Sequence, residues 1–219
     1  MDFEKTRFNM VEQQIRPWEV LDPTVLDLLF QLKREDFVAA DQRQLAFVDT
    51  ELPLANGGKM LQPKMEARLA QDAGVQPTDK ILEIGTGNGY LTALLAKLGK
   101  QVVSVEIDAA QKERAAANLK KAGIANVTLV EADGVLGLPE QAPYDVIVVA
   151  GSLPVVPQEL KNQLAVGGRL ILVVGDLPVM SCKLIQRETD TSFRETALFE
   201  TCVSRLKKFE AVEPARFSF

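Results

Sequence analysis

Histidine is missing from all 219 residues. That gap excludes a histidine general base, a Ser-His-Asp triad and an imidazole metal ligand, and no metal site is expected. Cysteine is almost as scarce: Cys182 and Cys202 lie far apart without CxxC spacing, which rules out a disulfide-built scaffold. They read as buried thiols in a reducing compartment, with a bridge between adjacent strands left open. No apolar run reaches membrane-spanning length, and Met1 to Arg7 lacks the apolar stretch of a signal segment, so a cytoplasmic protein without a membrane partner is expected. Basic clusters are lacking too. With 25 Lys and Arg against 30 Asp and Glu, net charge −5, a general phosphate-backbone binder is excluded, and no nucleic-acid partner is expected. What remains, 47% hydrophobic and 25% charged residues, suits one large core and one compact domain.

Residues 1–78 read as helices and loops packed on the substrate side of a core formed by residues 79–219. Helices are predicted around 5–15 and 23–33, the second with Asp22 as N-cap and Pro23 at its first position. Residues 41–63 show no sustained periodicity, which fits a binding loop or lid. Beyond them, short apolar runs alternate with helical periods. Ile81-Leu82-Glu83-Ile84 leads into a helix with Leu91, Leu94, Leu95 and Leu98 on one face and Gly99 as its cap. Strands follow at 102–106, 127–130, 146–149 and, after a turn at Gly167-Gly168, at 170–174; Asp108 and Gln111 open a helix that ends in Lys120, Lys121 and Gly123. Continuous rather than alternating apolar runs suit strands buried on both faces, hence an α/β doubly wound, mostly parallel sheet. Residues 180–187 and 193–203 read as an antiparallel hairpin at one sheet edge, of undetermined spatial order.

The strand-to-helix junction Glu83-x-Gly85-x-Gly87-x-Gly89 places glycines where backbone can approach a ligand and where a helix N-terminus offers free N–H groups. Tyr90 occupies the place of a third dinucleotide-type glycine. The pattern instead resembles motif I of the class I S-adenosylmethionine methyltransferases. Glu106, 19 residues after Gly87, ends the second strand and suits the two ribose hydroxyls; Asp133-Gly134 follows the third strand and suits the adenine amine. The cofactor set is thus Glu83, Gly85, Thr86, Gly87, Asn88, Gly89, Glu106, Ile107, Asp133 and Gly134, with Glu83 and the glycines near the methionine part.

Met10-Val11-Glu12-Gln13-Gln14-Ile15-Arg16, Arg34-Glu35-Asp36-Phe37-Val38, Gln62-Pro63, Leu82 to Tyr90 and Val166-Gly167-Gly168-Arg169-Leu170 together resemble the protein-L-isoaspartate O-methyltransferase family over nearly the whole chain. The resemblance implies a seven-stranded Rossmann-like methyltransferase sheet, S-adenosylmethionine as cofactor, and methylation of the free α-carboxylate of isoaspartyl residues in damaged proteins, a repair step. That chemistry needs no histidine, since a carboxylate near pKa 4 is already ionised at neutral pH.

One segment departs from the family. Its members usually carry Thr-Ile-Ser-Gln-Pro where this chain has Lys59-Met60-Leu61-Gln62-Pro63, so Leu61 stands at the serine generally assigned to the active site. Lys59, Met60 and Gln62 are the candidates to compensate, through the Lys59 ammonium or backbone N–H groups. The alternative is a family-related cofactor-binding protein with a changed acceptor or lost isoaspartyl activity, and on either view Leu61→Ser is expected to raise turnover if the hydroxyl matters. The loop after the fourth strand, Ala150-Gly151-Ser152-Leu153-Pro154, lacks the Pro-Pro motif of amino-group methyltransferases, and Ser152 is a hydroxyl near the methyl group or a plain turn serine. Trp18 reads as a core anchor or a peptide-recognition aromatic, and Lys207-Lys208 as a solvated pair.

Overall fold

Side-chain caps set the starts of the N-terminal helices. In the computed structural model, which describes residues 2–213, Asp2 accepts from the Lys5 amide at 3.1 Å and opens α1 (Phe3–Met10). The helix widens into a π-helical turn (Val11–Ile15), tightens into a 3-10 turn (Arg16–Trp18), and is broken at Glu19, whose φ of 61° is left-handed. Asp22 accepts from the Thr24 and Val25 amides, and Pro23 begins α2 (Pro23–Gln31), as its position predicts. The aperiodic stretch folds as a 3-10 helix (Ala40–Phe47) and a small ribbon, β1 (Leu52–Pro53) antiparallel to β2 (Lys59–Met60), before α3 (Pro63–Asp72).

The main sheet then builds in order: β3 (Lys80–Ile84), α4 (Tyr90–Leu98), β4 (Gln101–Glu106), α5 (Ala109–Lys121), β5 (Val127–Glu131), β6 (Tyr144–Leu153), α6 (Gln158–Asn162), β7 (Leu164–Val174), β8 (Met180–Arg187) and β9 (Phe193–Thr201). Its spatial order is β5-β4-β3-β6-β7-β8-β9, with the first five strands parallel and β8 and β9 antiparallel at one edge. Both faces are apolar. Ile81, Val102, Val146 and Ile171 pack towards α2, α3 and α4, whereas Leu82, Val103, Ile147 and Leu170 pack on the opposite side with Leu138 and Leu160. This two-sided burial is why the strands read as unbroken hydrophobic runs.

Gly99 is the C-cap of α4, as expected, with φ −108°; glycine is needed there because a Cβ would sit 2.6 Å from Ile81 Cδ1. Two local expectations are corrected. Gly167-Gly168 is a bend inside β7 rather than a turn before it, and it brings Arg169 to Asp79 at 2.6 Å and to the Ala73 carbonyl at 2.5 Å. Cys202 is exposed, so only Cys182 is a buried thiol, pushed up to about 12 by burial, and both are free. Trp18 is a core anchor: it meets Phe199 edge-on at 6.1 Å with the Lys64 ammonium over its ring. Among the described residues no helix is long and apolar enough to cross a membrane.

Candidate active site

After β3 the chain builds outward through β4 and β5, then returns to place β6 on the other side of β3. Outside the carboxyl ends of strands at such a reversal a crevice forms, because the connecting loops diverge to opposite faces. Here it is a cleft of about 680 Å³, counted to its open mouth. Its floor is Ile84, Gly85 and Gly87 after β3, Glu106 and Ile107 after β4, Asp133 to Val135 after β5, and Ala150 of β6. Its roof is the loop from Glu51 to Leu61 and the strap from Ser204 to Lys207.

The glycine loop turns through Gly85, Gly87 and Gly89 with φ of 95°, 54° and 85°, values that strain any other residue. This turn delivers the Gly87 amide to Glu106 Oε2 at 3.0 Å, while the Asp108 amide donates to Oε1 at 3.2 Å. Burial raises the Glu106 pKa and these backbone donors oppose the rise. Two amides use only part of what a carboxylate accepts, so Glu106 keeps lone pairs for a ligand. Asp133 Oδ1 takes the Val135 amide at 3.2 Å. Gly134 lies directly on the strand ends: a Cβ there would come within 3.0 Å of Ile84 and 3.1 Å of Val105.

Glu83 sits beneath this surface rather than in it. Fully buried, its Oε2 accepts from the Thr92 hydroxyl and from Ser104 Oγ at 2.6 Å, and Thr86 Oγ1 lies 2.6 Å from Ser104 Oγ, whose proton is committed to Glu83. Burial pushes the Glu83 carboxyl up to about 8, against the pull of those hydroxyls. The unfolded chain loses this proton near the ordinary value of 4.5, so stability falls as pH rises from there to about 8, where the folded state also ionises. Glu83→Gln removes the effect. Its stability relative to the unaltered protein is expected to climb between pH 5 and 8, by at most about 1.4 kcal/mol per pH unit; parallel denaturant midpoints for the two proteins across that range would contradict a neutral Glu83.

The roof loop is held from behind by Arg34, which has no exposed surface. Its guanidinium donates to Glu66 Oε2 at 2.7 Å, to the Ala46 carbonyl at 2.6 Å and to the Leu61 carbonyl at 2.6 Å. One side chain thereby joins the 3-10 helix, the end of the ribbon and α3. Burial pushes Glu66 up to about 7, with Arg34 drawing it back.

The family model for protein-L-isoaspartate(D-aspartate) O-methyltransferase matches residues 5–206. The chain belongs to this family. Among relatives of this methyltransferase, the protein-L-isoaspartate O-methyltransferase 1 of Rhodopseudomonas palustris (strain HaA2) is 42% identical over 173 residues, 79% of this chain and 71% of its own. That of Koribacter versatilis (strain Ellin345) is 36% identical over 214 residues, covering 98% and 96%. A crystal structure of a candidate protein-L-isoaspartate O-methyltransferase from Plasmodium falciparum, in complex with S-adenosyl-L-homocysteine, superposes with a TM-score of 0.77 over 95% of this chain and 99% of that one; at 20% identity it shows the shared fold.

In this methyltransferase the cleft gathers Gly85, Gly87, Glu106, Ile107, Asp133 and Gly134, together with Lys59 and Leu61 from the roof. Others of the predicted set lie beneath or beside it, with Met60, Thr86 and Asn88 on a smaller pocket that shares Lys59, Leu61, Gly85 and Gly87 with the cleft. Glu83 and the Thr86 side chain belong to the buried network, because the β3 pleat turns Glu83 into the sheet. Asn88 is drawn aside by Gln111 at 2.8 Å, Gly89 packs on α5 beside Leu119, Met60 points to Asn88, and Gln62 is the N-cap residue of α3 without a capping side-chain bond. Ser152 is structural: its hydroxyl donates to the Val203 carbonyl at 2.9 Å. Sequence reasoning missed Glu51, Ser204 and Arg205; Lys207 and Lys208 are exposed, as expected of a solvated pair, and Lys207 also lines the mouth of the cleft and donates to the Asn56 carbonyl at 2.6 Å. No periodicity or spacing marks a strap held in place by backbone bonds to β6.

Proposed function

We propose that Glu106 accepts the two ribose hydroxyls of S-adenosylmethionine, Asp133 takes its adenine amine, and the Gly85 to Gly87 backbone faces its methionine part. The residues fit that group on chemical grounds. The cleft joins apolar walls at Ile84, Ile107 and Val135, suited to a flat base, with two carboxylates at separate strand ends, and a Cβ on Gly85 would come within 3.1 Å of Leu206 in the strap, so only glycine leaves that gap open. When bound, S-adenosylmethionine supplies a methyl group on a positively charged sulfur that carries its own leaving group.

The reaction is carboxyl O-methylation of isoaspartyl residues in proteins, a repair methylation. An acceptor carboxylate is ionised at pH 7, so this chain has to align and desolvate it rather than deprotonate it. The roof is suited to that work: Leu61 presents an apolar wall, and Lys59, whose ammonium lies 3.5 Å from Glu51, offers a countercharge at the mouth. The observation that carries the reading is the meeting of Glu106, Asp133 and the glycine turn in one cleft. Calorimetric titration with S-adenosylhomocysteine and radiolabelled methyl transfer to an isoaspartyl peptide test it. Binding with transfer to the isoaspartyl peptide, and none to the matched aspartyl peptide, is expected; binding without transfer overturns the acceptor.

A further inference from the structure

Once β9 ends at Thr201, the strap crosses the carboxyl end of β6 by backbone bonds: the Ser152 amide donates to the Ser204 carbonyl at 3.0 Å, and the Leu206 amide to the Ser152 carbonyl at 3.1 Å. Leu206 covers Gly85 and Gly151. These contacts fix Ser204 against the cleft, where it is the one hydroxyl-bearing side chain in the lining among the described residues. Its hydroxyl donates to Glu51 Oε2 at 2.7 Å and its amide to Glu51 Oε1 at 2.8 Å. Glu51, only 13% exposed, is also paired with Lys59 at 3.5 Å. All three line the same cleft as Leu61.

The Leu61 side chain cannot donate a hydrogen bond, and the Leu61 carbonyl is held by Arg34, so its backbone is tethered in place. A carboxylate brought against it needs donors from elsewhere, since an ionised group beside apolar surface is costly without them. We propose that Ser204 is an acceptor-binding residue: its hydroxyl swings from Glu51 to the acceptor carboxylate, with Lys59 as countercharge. The exchange replaces one charge-assisted hydrogen bond by another of the same kind. Glu51 keeps the Ser204 amide and the Lys59 ammonium, so it is not left unpaired. Glu51 also gives the site an acceptor a few ångströms from its donors. In an isoaspartyl residue the free carboxylate and the backbone N–H share one α-carbon, so a donor and acceptor pair of this spacing matches it, whereas an ordinary aspartyl carboxylate lies one carbon further out.

The inference rests on the acceptor reading above, and the experiment separates the two. Methyl transfer to an isoaspartyl peptide is measured for the unaltered protein, Ser204→Ala, Leu61→Ser and the double variant, alongside calorimetry with S-adenosylhomocysteine. Ser204→Ala is expected to lower kcat/KM by about ten- to a hundredfold, with S-adenosylhomocysteine affinity held within about twofold. A hydroxyl returned at Leu61→Ser serves the same carboxylate, so it should raise the rate of Ser204→Ala much more than that of the unaltered protein. Unchanged kinetics in Ser204→Ala overturn the inference alone. So does a loss that tracks cofactor affinity and is not recovered by Leu61→Ser, since Ser204 would then only fasten the strap to the loop. An unaltered protein that binds S-adenosylhomocysteine yet methylates no isoaspartyl peptide overturns the acceptor reading and this inference with it.

Discussion

Glu106→Ala is expected to weaken S-adenosylhomocysteine binding by at least about a hundredfold, with little change in thermal stability. Hydrogen bonds to a charged group contribute about 1.5–3 kcal/mol each, and the proposed ribose contact has two of them. The variant also frees the Gly87 and Asp108 amides that Glu106 now holds. Gly87 lines the cleft and Asp108 is half-buried next to it, so water can take the place of the carboxylate and the loss falls on affinity rather than on folding. Glu106→Gln separates charge from shape: it keeps an acceptor oxygen and should lose less than alanine does. Isothermal titration of the three proteins decides the matter. Equal affinities would remove Glu106 from the ribose and leave Asp133 as the carboxylate to test.

Arg34→Met is expected to be the most damaging single change to stability. It leaves Glu66 buried without its partner and takes the donor from the Ala46 and Leu61 carbonyls. Breaking a buried pair from one side costs about 3–5 kcal/mol, because the group left behind must either stay charged in an apolar site or take up a proton there. For a chain of this length that lowers Tm by roughly 10 °C. Removing both charges in Arg34→Met/Glu66→Met should recover much of the loss, since a packed apolar pair carries no such penalty. Calorimetric melting checks both, and a double variant no more stable than the single one would show that the two carbonyls, rather than Glu66, dominate. Because Arg34 holds the Leu61 carbonyl, the single variant should also loosen the roof and weaken cofactor binding.

The sheet was legible because its chemistry is local. Each parallel strand is a β-branched run buried on both sides, and each glycine or acid at a strand end follows its strand by a fixed number of residues, so Gly85, Gly87, Glu106 and Asp133 fall together in the structure as they do in the pattern. Glu83 misled for a related reason: spacing along a strand says which residue is acidic but not which face it takes, and the pleat turns this one inwards to Thr92 and Ser104. The roof was legible only in part: the aperiodic stretch 41–63 read as a binding loop or lid, and residues 51–61 of it line the cleft, but the strap was not foreseen. Its contacts join residues far apart in sequence, such as Lys207 with Asn56 and Ser204 with Glu51, and neither the ribbon nor the strap has a period of its own. Arg34 is the sharpest case, since the sequence marks it only as one residue of a family-like motif and only the packed structure shows it without exposure.

The Glu51 to Ser204 link spans 153 positions, which gives it a meaning during synthesis. A ribosome delivers the glycine turn, Glu106 and Asp133 early, and these parts can fold as the strands behind them emerge. The strap follows the whole sheet. Until it leaves the exit tunnel, the cleft has a floor and no second wall, so a half-made chain has little grip on the cofactor. Ligand capture therefore waits for the strap, and the stabilisation that a bound ligand gives by mass action is added only after the whole sheet has been laid down.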